Sequence, residues 1–443
     1  MEDYVLNRQL HINYWKRCLK SLLPTQYMST DSSRMTLGFF ILSALDLLGA
    51  TCHQFLPEEE ILEISNWIIN CQHPHGGFCG SPNHRFPDEY YVDDEGALQD
   101  IDPANLPATF FAILSLGFVG DLTRVARKKC LRWLKSLQRD DGSFGELRTC
   151  DGIIGGGRDM RYCYVAAAIR WMLKGYELAK GEDIDVEMLL RHIHSGQVVI
   201  MGLTLKKTYD GGISESSKHE AHAGYTYCAI AALSLLNRLP NPAETPDYTT
   251  QILTNIPETI RWLVSRQIEY REDEEEHDME GNTEQGRQDI NSTLNDISSD
   301  FHGGCFIGFN GRCNKLVDTC YAFWVIASLD LIFRGQENLV DKLAARRFLL
   351  KQTQHQIGGF SKMPGDPPDI YHSYLGLAAL ALMREPGLKA LDPALCVSLD
   401  HRSRILQLRD AALVPTHIYW KHGYCFLIRE DDSEFESETA CKI

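Results

Sequence analysis

Hydrophobic residues fall into two kinds of segment, and the two kinds alternate along the chain. Six segments, 36–48, 104–119, 161–173, 221–236, 317–333 and 370–383, are apolar on nearly every helical face and rich in small residues. Between them lie segments such as 58–71, 123–138 and 339–354, where apolar residues recur at helical spacing with charges between them. The first kind predicts helices buried on both sides, the second helices with one wet face. Six buried helices alternating with about six amphipathic ones predict an all-α fold with an inner and an outer ring, a six-fold α/α barrel. An open solenoid is the alternative, but its inner faces would not be so uniformly apolar.

The amphipathic segments named above share one punctuation. Gln72-x-x-x-Gly76-Gly77-Phe78 recurs as Gln138-x-x-x-Gly142-Ser143-Phe144 and as Gln354-x-x-x-Gly358-Gly359-Phe360, with weaker copies at Asp210-Gly211-Gly212-Ile213 and His302-Gly303-Gly304-Cys305. The glycines fit tight turns at helix ends, so the unit is a repeated helix pair. Strand signals are few and short. Residues 1–443 read as one domain, with amphipathic helices at 11–23 and 399–410 closing the ring. Residues 269–300, which contain Glu272-Asp273-Glu274-Glu275-Glu276, read as a disordered acidic surface insertion, and 428–443 as a loose tail.

Charge and cysteine usage narrow the functions available. The 443 residues carry a formal charge of −16, which argues against nucleic acid or an anionic membrane as the main partner. An anionic ligand therefore needs a local basic pocket. Fourteen cysteines are scattered without paired spacing and the N-terminus shows no signal peptide, a usage that predicts reduced thiols in the cytoplasm. No apolar run reaches membrane-spanning length.

In a barrel of this type the starts of the inner helices converge at one mouth, so the polar residues there are few and informative. One stretch stands out, from Gly311 to Trp324, where Arg312 and Lys315 precede Asp318-x-Cys320-Tyr321 at a helix start. Asp318, Cys320 and His372 supply one oxygen, one sulfur and one nitrogen ligand, the three-ligand set of a catalytic zinc with its fourth position open. His222, Arg312, Lys315, Tyr321 and Lys362 make a basic, hydrogen-bonding pocket suited to a diphosphate. Taken singly, His222 and His372 read equally well as capping or core histidines, and Lys315 and Lys362 as solvated charge. Their recurrence at corresponding repeat positions favours a site.

The Gln-x-x-x-Gly-Gly-Phe repeats, Val317-Asp318-Thr319-Cys320-Tyr321 and Asp369-x-x-His372 together resemble the beta subunits of protein prenyltransferases, over nearly the whole chain apart from the acidic insertion and the tails. The resemblance implies the α/α barrel, a zinc site at Asp318, Cys320 and His372, a diphosphate site at His222, Arg312, Lys315 and Tyr321, and an obligate alpha subunit. Two positions point within the family to type I geranylgeranyltransferases. Lys362 stands where farnesyltransferase-like and Rab-type relatives carry an Asp that recruits magnesium, which implies that magnesium is not required. Thr36 stands where a farnesyltransferase has a bulky Trp flooring the lipid pocket, which leaves room for one more isoprene unit. The resemblance also implies an acceptor site for the C-terminal CaaX tails, X mostly Leu, of Rho-, Rac- and Rap-type small GTPases, lined by Thr36, Phe40, Asn105, Pro107, Tyr162 and Tyr371 and helped by Arg161. Asn105, Pro107 and Tyr371 depart from the family, where His, Ala and Leu are usual.

Three rivals stand beside this reading. A farnesyltransferase beta subunit is opposed by Lys362 and Thr36. A terpene cyclase needs an Asp-rich motif on the barrel, and the sequence shows none outside the acidic insertion. A non-catalytic repeat scaffold gives Asp318, Cys320, His372 and the basic pocket no purpose.

Overall fold

The computed structural model describes residues 4–87, 91, 101–120, 122–149, 151–201, 204–207, 211–216, 219–239, 253, 256–270, 306–333, 338–412, 417–421 and 424–428. Thirteen α-helices are found among them. Six form the inner ring: α2 (Arg34–Leu47), α4 (Leu106–Val119), α6 (Met160–Met172), α8 (Ala223–Leu235), α10 (Thr319–Phe333) and α12 (Ile370–Leu382). Each packs on the next, and α12 packs back on α2, so the barrel is closed and the open solenoid is excluded. The expected inner segments match these helices to within two residues at every end.

The outer layer is α1 (Arg8–Lys20), α3 (Glu58–Asn70), α5 (Arg127–Ser136), α7 (Val186–Ser195), α9 (Ile256–Val264) and α11 (Lys342–Phe348), the last continued by a π-helical turn at Leu349–Thr353. Helix α13 (Leu399–Ala411) does not close the ring, as the sequence suggested; it lies against α4 and α6. There His401 stacks on Phe118 at 3.5 Å between ring centroids, and its Nε2 meets the Leu114 carbonyl at 3.0 Å. Helix α1 does close the outer ring, as the sequence suggested: it packs outside α2, and the turn at Gly358 that follows α11 presses on its Leu10 carbonyl.

The repeated motif explains how each pair docks on the next. Bridges Gln72–Phe78, Gln138–Phe144 and Gln354–Phe360 close the three clear copies in identical register. Within each turn a glycine with positive φ (Gly76, Gly142, Gly358) presses on the first turn of the following outer helix. A Cβ on Gly142 would lie 2.0 Å from the Met188 carbonyl oxygen of α7, and one on Gly358 would lie 2.3 Å from the Leu10 carbonyl oxygen of α1. The glutamines add hydrogen bonds at the same seams. Gln72 Oε1 accepts from Ala126 N (2.7 Å), Gln138 Oε1 from Asp185 N (2.7 Å), and Gln354 Oε1 from Asn7 N (2.9 Å). These three residues are the N-caps of α5, α7 and α1, so each glutamine staples the start of the next outer helix. Gln267, which sequence reading did not single out, does the same for Asp341 and α11 at 2.8 Å.

Aromatic side chains near the fifth residue of the inner helices touch in sequence around the lumen: Phe39 with Tyr374, Phe110 with Tyr164, Tyr164 with Tyr227, and Tyr227 with Phe323. Contacts at matching positions on touching helices show that the helices run the same way and start at one mouth. A strand pair, Leu391–Asp392 with Val397–Ser398, carries the turn that plugs the lumen, with Leu395 buried. Its carbonyls accept the hydroxyls of Tyr227 (Pro393, 2.9 Å), Tyr164 (Ala394, 2.9 Å) and Tyr374 (Cys396). The segment expected to be disordered begins inside a strand, Gln267–Tyr270, paired with Phe306–Phe309; its residues 271–300 lie outside the described residues. The loose tail likewise begins at the last residue of strand Tyr424–Ile428, and 429–443 lie outside the described residues.

Gly142→Ala is expected to lower unfolding stability by about 2–4 kcal/mol, from the left-handed backbone and the backbone clash combined. Gly181, with φ +92° and nothing within 4 Å of a built Cβ, separates the two effects. Its alanine variant should lose only about 1 kcal/mol. Urea denaturation of both variants checks the difference.

Candidate active site

The mouth is built from the first turns of the inner helices. Asp318 directly precedes α10, Cys320 is that helix's second residue, and His372 is the third of α12. The backbone N–H of Cys320 donates to Asp318 Oδ1 at 2.9 Å, turning the carboxylate toward the sulfur. Asp369 caps α12 by accepting from His372 N at 2.8 Å, and its other oxygen takes the imidazole Nδ1–H at 2.6 Å. That bond fixes the ring so that Nε2 faces Asp318 Oδ1 at 3.3 Å. The ligand atoms of Asp318, Cys320 and His372 all lie within 4.8 Å of one another, and Asp318 and Cys320 are buried. Ligand atoms around a tetrahedral zinc lie about 3.5 Å apart. The oxygen–nitrogen pair at 3.3 Å has that spacing and the sulfur lies within 4.8 Å of both; with a carboxylate behind the histidine, the three fit a divalent metal.

Titration behaviour agrees with a cation's place. Burial acts to lower the pKa of His372, but hydrogen bonds and charge from Asp318 and Asp369 outweigh it and raise it to about 9. Burial acts to raise Asp318, yet the partnership with His372 and the Cys320 N–H leaves it below the usual carboxylate value. Burial first, then the Asp318 charge, pushes the Cys320 thiol well up. Without a cation the site therefore holds protons.

Next to this cluster, His222 is the N-cap of α8, its Nδ1 accepting from Gly224 N at 3.0 Å. Nε2 then carries the proton and faces the Tyr321 hydroxyl at 3.2 Å. Burial, followed by the nearby Arg312 charge, lowers the His222 pKa to about 4. At neutral pH His222 is thus a hydrogen-bond donor and adds no charge to the basic set. Gly311 makes room for this pair, since a Cβ there would sit 2.2 Å from the Tyr321 ring. Arg312 is half-exposed and pairs with Glu220 at 3.2 Å. Lys315 and Lys362 are exposed, and among the described residues their ammonium groups meet no carboxylate. The Lys362 carbonyl accepts from Thr319 N at 3.0 Å, which holds its hairpin against the start of α10.

The remaining sequence-predicted residues ring the same mouth. Thr36 is the third residue of α2, and Phe40, one turn further on, packs its ring on Tyr371 at 6.1 Å. Asn105 is the N-cap of α4, its Oδ1 accepting from Ala108 N at 2.9 Å, with Pro107 in the first turn. Arg161 is held by Asp159 through two 2.9 Å bonds, and the Tyr162 hydroxyl donates to Glu146 at 2.7 Å. The structure brings the three metal-type ligands together, and likewise His222 with Tyr321 and Phe40 with Tyr371. Among the described residues no hydrogen bond or ion pair joins the Lys315 or Lys362 side chain to these groups. Sequence reading named Asp369 only as part of a motif and missed its hold on His372, although an Asp three residues before a His at a helix start is the signal. It also missed the grip of Asp159 on Arg161 two residues on, and Glu146 and Glu220, whose partners Tyr162 and Arg312 lie further along the chain.

A prenyltransferase α/α-toroid domain model matches residues 6–397, so the chain belongs to the prenyltransferase α/α-toroid family. More narrowly, it falls among the protein prenyltransferase beta subunits. The geranylgeranyl transferase type-1 beta subunit of Arabidopsis thaliana is 33% identical over 401 residues, 88% of each chain. The corresponding subunit of Dictyostelium discoideum is 28% identical over 90% of this chain and 96% of its own. A protein farnesyltransferase beta subunit from Pyricularia oryzae is 27% identical over 85% of this chain and 63% of its own. Among solved structures, Candida albicans protein geranylgeranyltransferase-I complexed with GGPP matches with a TM-score of 0.68 and 29% identity, covering 91% of this chain and 99% of that one. Among the described residues no helix is long and apolar enough to cross a membrane.

Two outcomes test the metal-type cluster. Asp369→Asn should weaken Zn²⁺ affinity about 10- to 100-fold in a chelator competition, because the imidazole loses its orienting partner. Zn²⁺ uptake at pH 7 should displace about two protons, from Cys320 and His372. Since protons compete with the ion, affinity should climb with pH through about 9, where His372 is half deprotonated, and go on climbing above it while the Cys320 thiol still holds its proton. Calorimetry in buffers of different ionisation enthalpy reads the proton count.

Proposed function

We propose that the chain is the catalytic beta subunit of a zinc-dependent protein geranylgeranyltransferase type I. In this reading it works with a prenyltransferase alpha subunit in the cytoplasm, without magnesium. It transfers geranylgeranyl from its diphosphate to the cysteine of CaaX tails, X mostly Leu, of Rho-, Rac- and Rap-type small GTPases. The observation that carries the reading is the convergence of Asp318, Cys320 and His372 beside the His222–Tyr321 pair at the mouth of an apolar barrel. Similarity to type-1 beta subunits from two organisms supports it.

Asp318, Cys320 and His372 would hold the zinc ion, which when bound supplies an open position for the acceptor cysteine as its thiolate. The thiolate sulfur bonds to C1 of the isoprenoid as the C1–oxygen bond breaks, and the electron pair leaves with the diphosphate. His222 and Tyr321 donate hydrogen bonds to that departing group, while Arg312, Lys315 and Lys362 neutralise it. Fixed donors of this kind are worth roughly 3 kcal/mol each in the transition state. Lys362 supplies the charge that a magnesium ion would otherwise bring. The aromatic girdle and the apolar lumen bind the isoprenoid, at roughly 0.8 kcal/mol per buried CH₂. Thr36 leaves room for the fourth isoprene unit. Phe40, Asn105, Pro107, Tyr162 and Tyr371 receive the CaaX tail, with Arg161 helping to hold it.

The test uses the chain co-expressed with its alpha subunit, with magnesium chelated and zinc retained. Geranylgeranyl transfer to a peptide ending in Leu is expected; farnesyl transfer to a peptide ending in Ser would overturn the lipid assignment and leave the zinc site standing. Cys320→Ala should lose zinc and turnover together, and retention of both would remove it from the ligand set. Thr36→Trp should shift preference toward the shorter lipid, and Lys362→Asp should make turnover magnesium-dependent.

A further inference from the structure

One turn of the barrel carries a device that the other two clear copies of its motif lack. The residue after the repeat glutamine is His73 in the first copy and His355 in the third, and each of these rings folds back on its own turn, accepting from His75 N and Ile357 N. In the second copy it is Arg139, and its guanidinium reaches across to the following loop. There Nη1 donates to the carbonyls of Phe144 (3.0 Å) and Gly157 (2.9 Å). Nη2 donates to those of Gly156 (2.9 Å), Ile154 (3.2 Å) and Gly155 (3.3 Å). One side chain thus gathers five backbone acceptors.

The end of the loop so gathered is poor in side chains of its own. Three consecutive glycines, 155–157, offer no side chains to pack, and Gly156 has a positive φ of 87°. Its hairpin pairs Leu147 and Arg148 with Gly155 and Ile154, with further backbone bonds from Glu146 N to Gly155 and from Thr149 N to Ile153. Yet this loop joins two inner-helix starts. The Glu146 carbonyl accepts from Leu106 N at 2.8 Å, Leu147 bridges Asn105, and the Glu146 carboxylate accepts the Tyr162 hydroxyl. Asn105 and Pro107 open α4; Arg161 and Tyr162 open α6. The metal-type and diphosphate-type residues sit on α8, α10 and α12 and in the loops that precede them, α8 being the direct neighbour of α6, where Arg161 faces the Tyr225 ring.

We propose that Arg139 is a positioning residue for the acceptor tail. By clamping loop 144–157 it holds the Asn105–Pro107 and Arg161–Tyr162 wall in one geometry, without touching the lipid diphosphate or the metal. The proposal rests on the acceptor-site reading given above. A planar, five-donor guanidinium suits this task and a lysine ammonium does not, because only the fork reaches carbonyls on two sides at fixed angles.

The test is steady-state kinetics of the heterodimer on a peptide ending in Leu, with Arg139→Gln, Arg139→Lys and Tyr162→Ala compared. Arg139→Gln should raise KM for the peptide about tenfold, with kcat at saturating peptide and KM for geranylgeranyl diphosphate little changed. Arg139→Lys keeps the charge and should fall between, with faster amide hydrogen exchange in 144–157 and nowhere else. If Arg139→Gln fails to assemble, the Lys variant decides alone. An unchanged peptide KM in the Arg139 variants, with Tyr162→Ala raising it, overturns the clamp. Equal rises in peptide and diphosphate KM overturn it too, since they report general loosening. An unchanged peptide KM in Tyr162→Ala overturns the acceptor-site reading on which the clamp stands.

Discussion

The architecture depends on one recurring contact: a glycine turn pressed against the first turn of the next outer helix, with a glutamine bonded to that helix's N-cap. A helix pair cannot bury the apolar faces of its inner helix alone. The contact sets the angle at which the next pair arrives, and six arrivals bring α12 back to α2. Because Gly142 and Gly358 lie against backbone carbonyls, any side chain at these positions would change that angle, and the error would reach every later pair. The mouth inherits its precision from these seams. Asp318, His372 and His222 all sit where a turn delivers an inner helix.

The fold was legible because the apolar segments are uniform and long, and because three copies of one motif give the period. The three metal-type ligands were legible for a different reason. An Asp, a Cys and a His at the starts of two buried helices have few bland uses, and the repeat placed those starts together. The second layer was not legible. Asp369 reads as a cap, and it is one; that its other oxygen grips an imidazole depends on the rotamer of His372. Glu146 and Glu220 act across loops whose path no periodicity fixes. The helix at 399–410 was misplaced because amphipathicity tells that a helix has one buried face, and not which surface it covers. The glutamines were visible as markers, but their bonds to the next helix are contacts between repeats.

Electrostatics divides the mouth into regions with different tasks. The chain is acidic overall, with a formal charge of −16, and yet Arg312 and Lys315 stand on the approach to α10, and the Lys362 carbonyl is bonded to that helix's first residue. The ends of the inner helices face the same way, so their dipoles add positive character there. His222 fits this economy by staying neutral: a second cation beside Arg312 would repel it, while an Nε2–H donor can aim at an anion at no electrostatic expense. Around the metal-type cluster the balance reverses, with Asp318 and Asp369 drawing positive charge, whether proton or ion, to His372.

The staple from Gln354 to Asn7 joins residues 347 apart in sequence. The first and last inner helices, α2 and α12, meet only when nearly the whole barrel exists. On a ribosome, α2 and the helices that follow it therefore emerge with one apolar flank lacking its neighbour until α12 has been made, a span of more than 300 residues. Closure is a non-local event of the kind that slows folding and leaves adhesive surface exposed in the meantime. A ring has no independent half, so a chain truncated before α12 would be a sticky intermediate and not a smaller barrel.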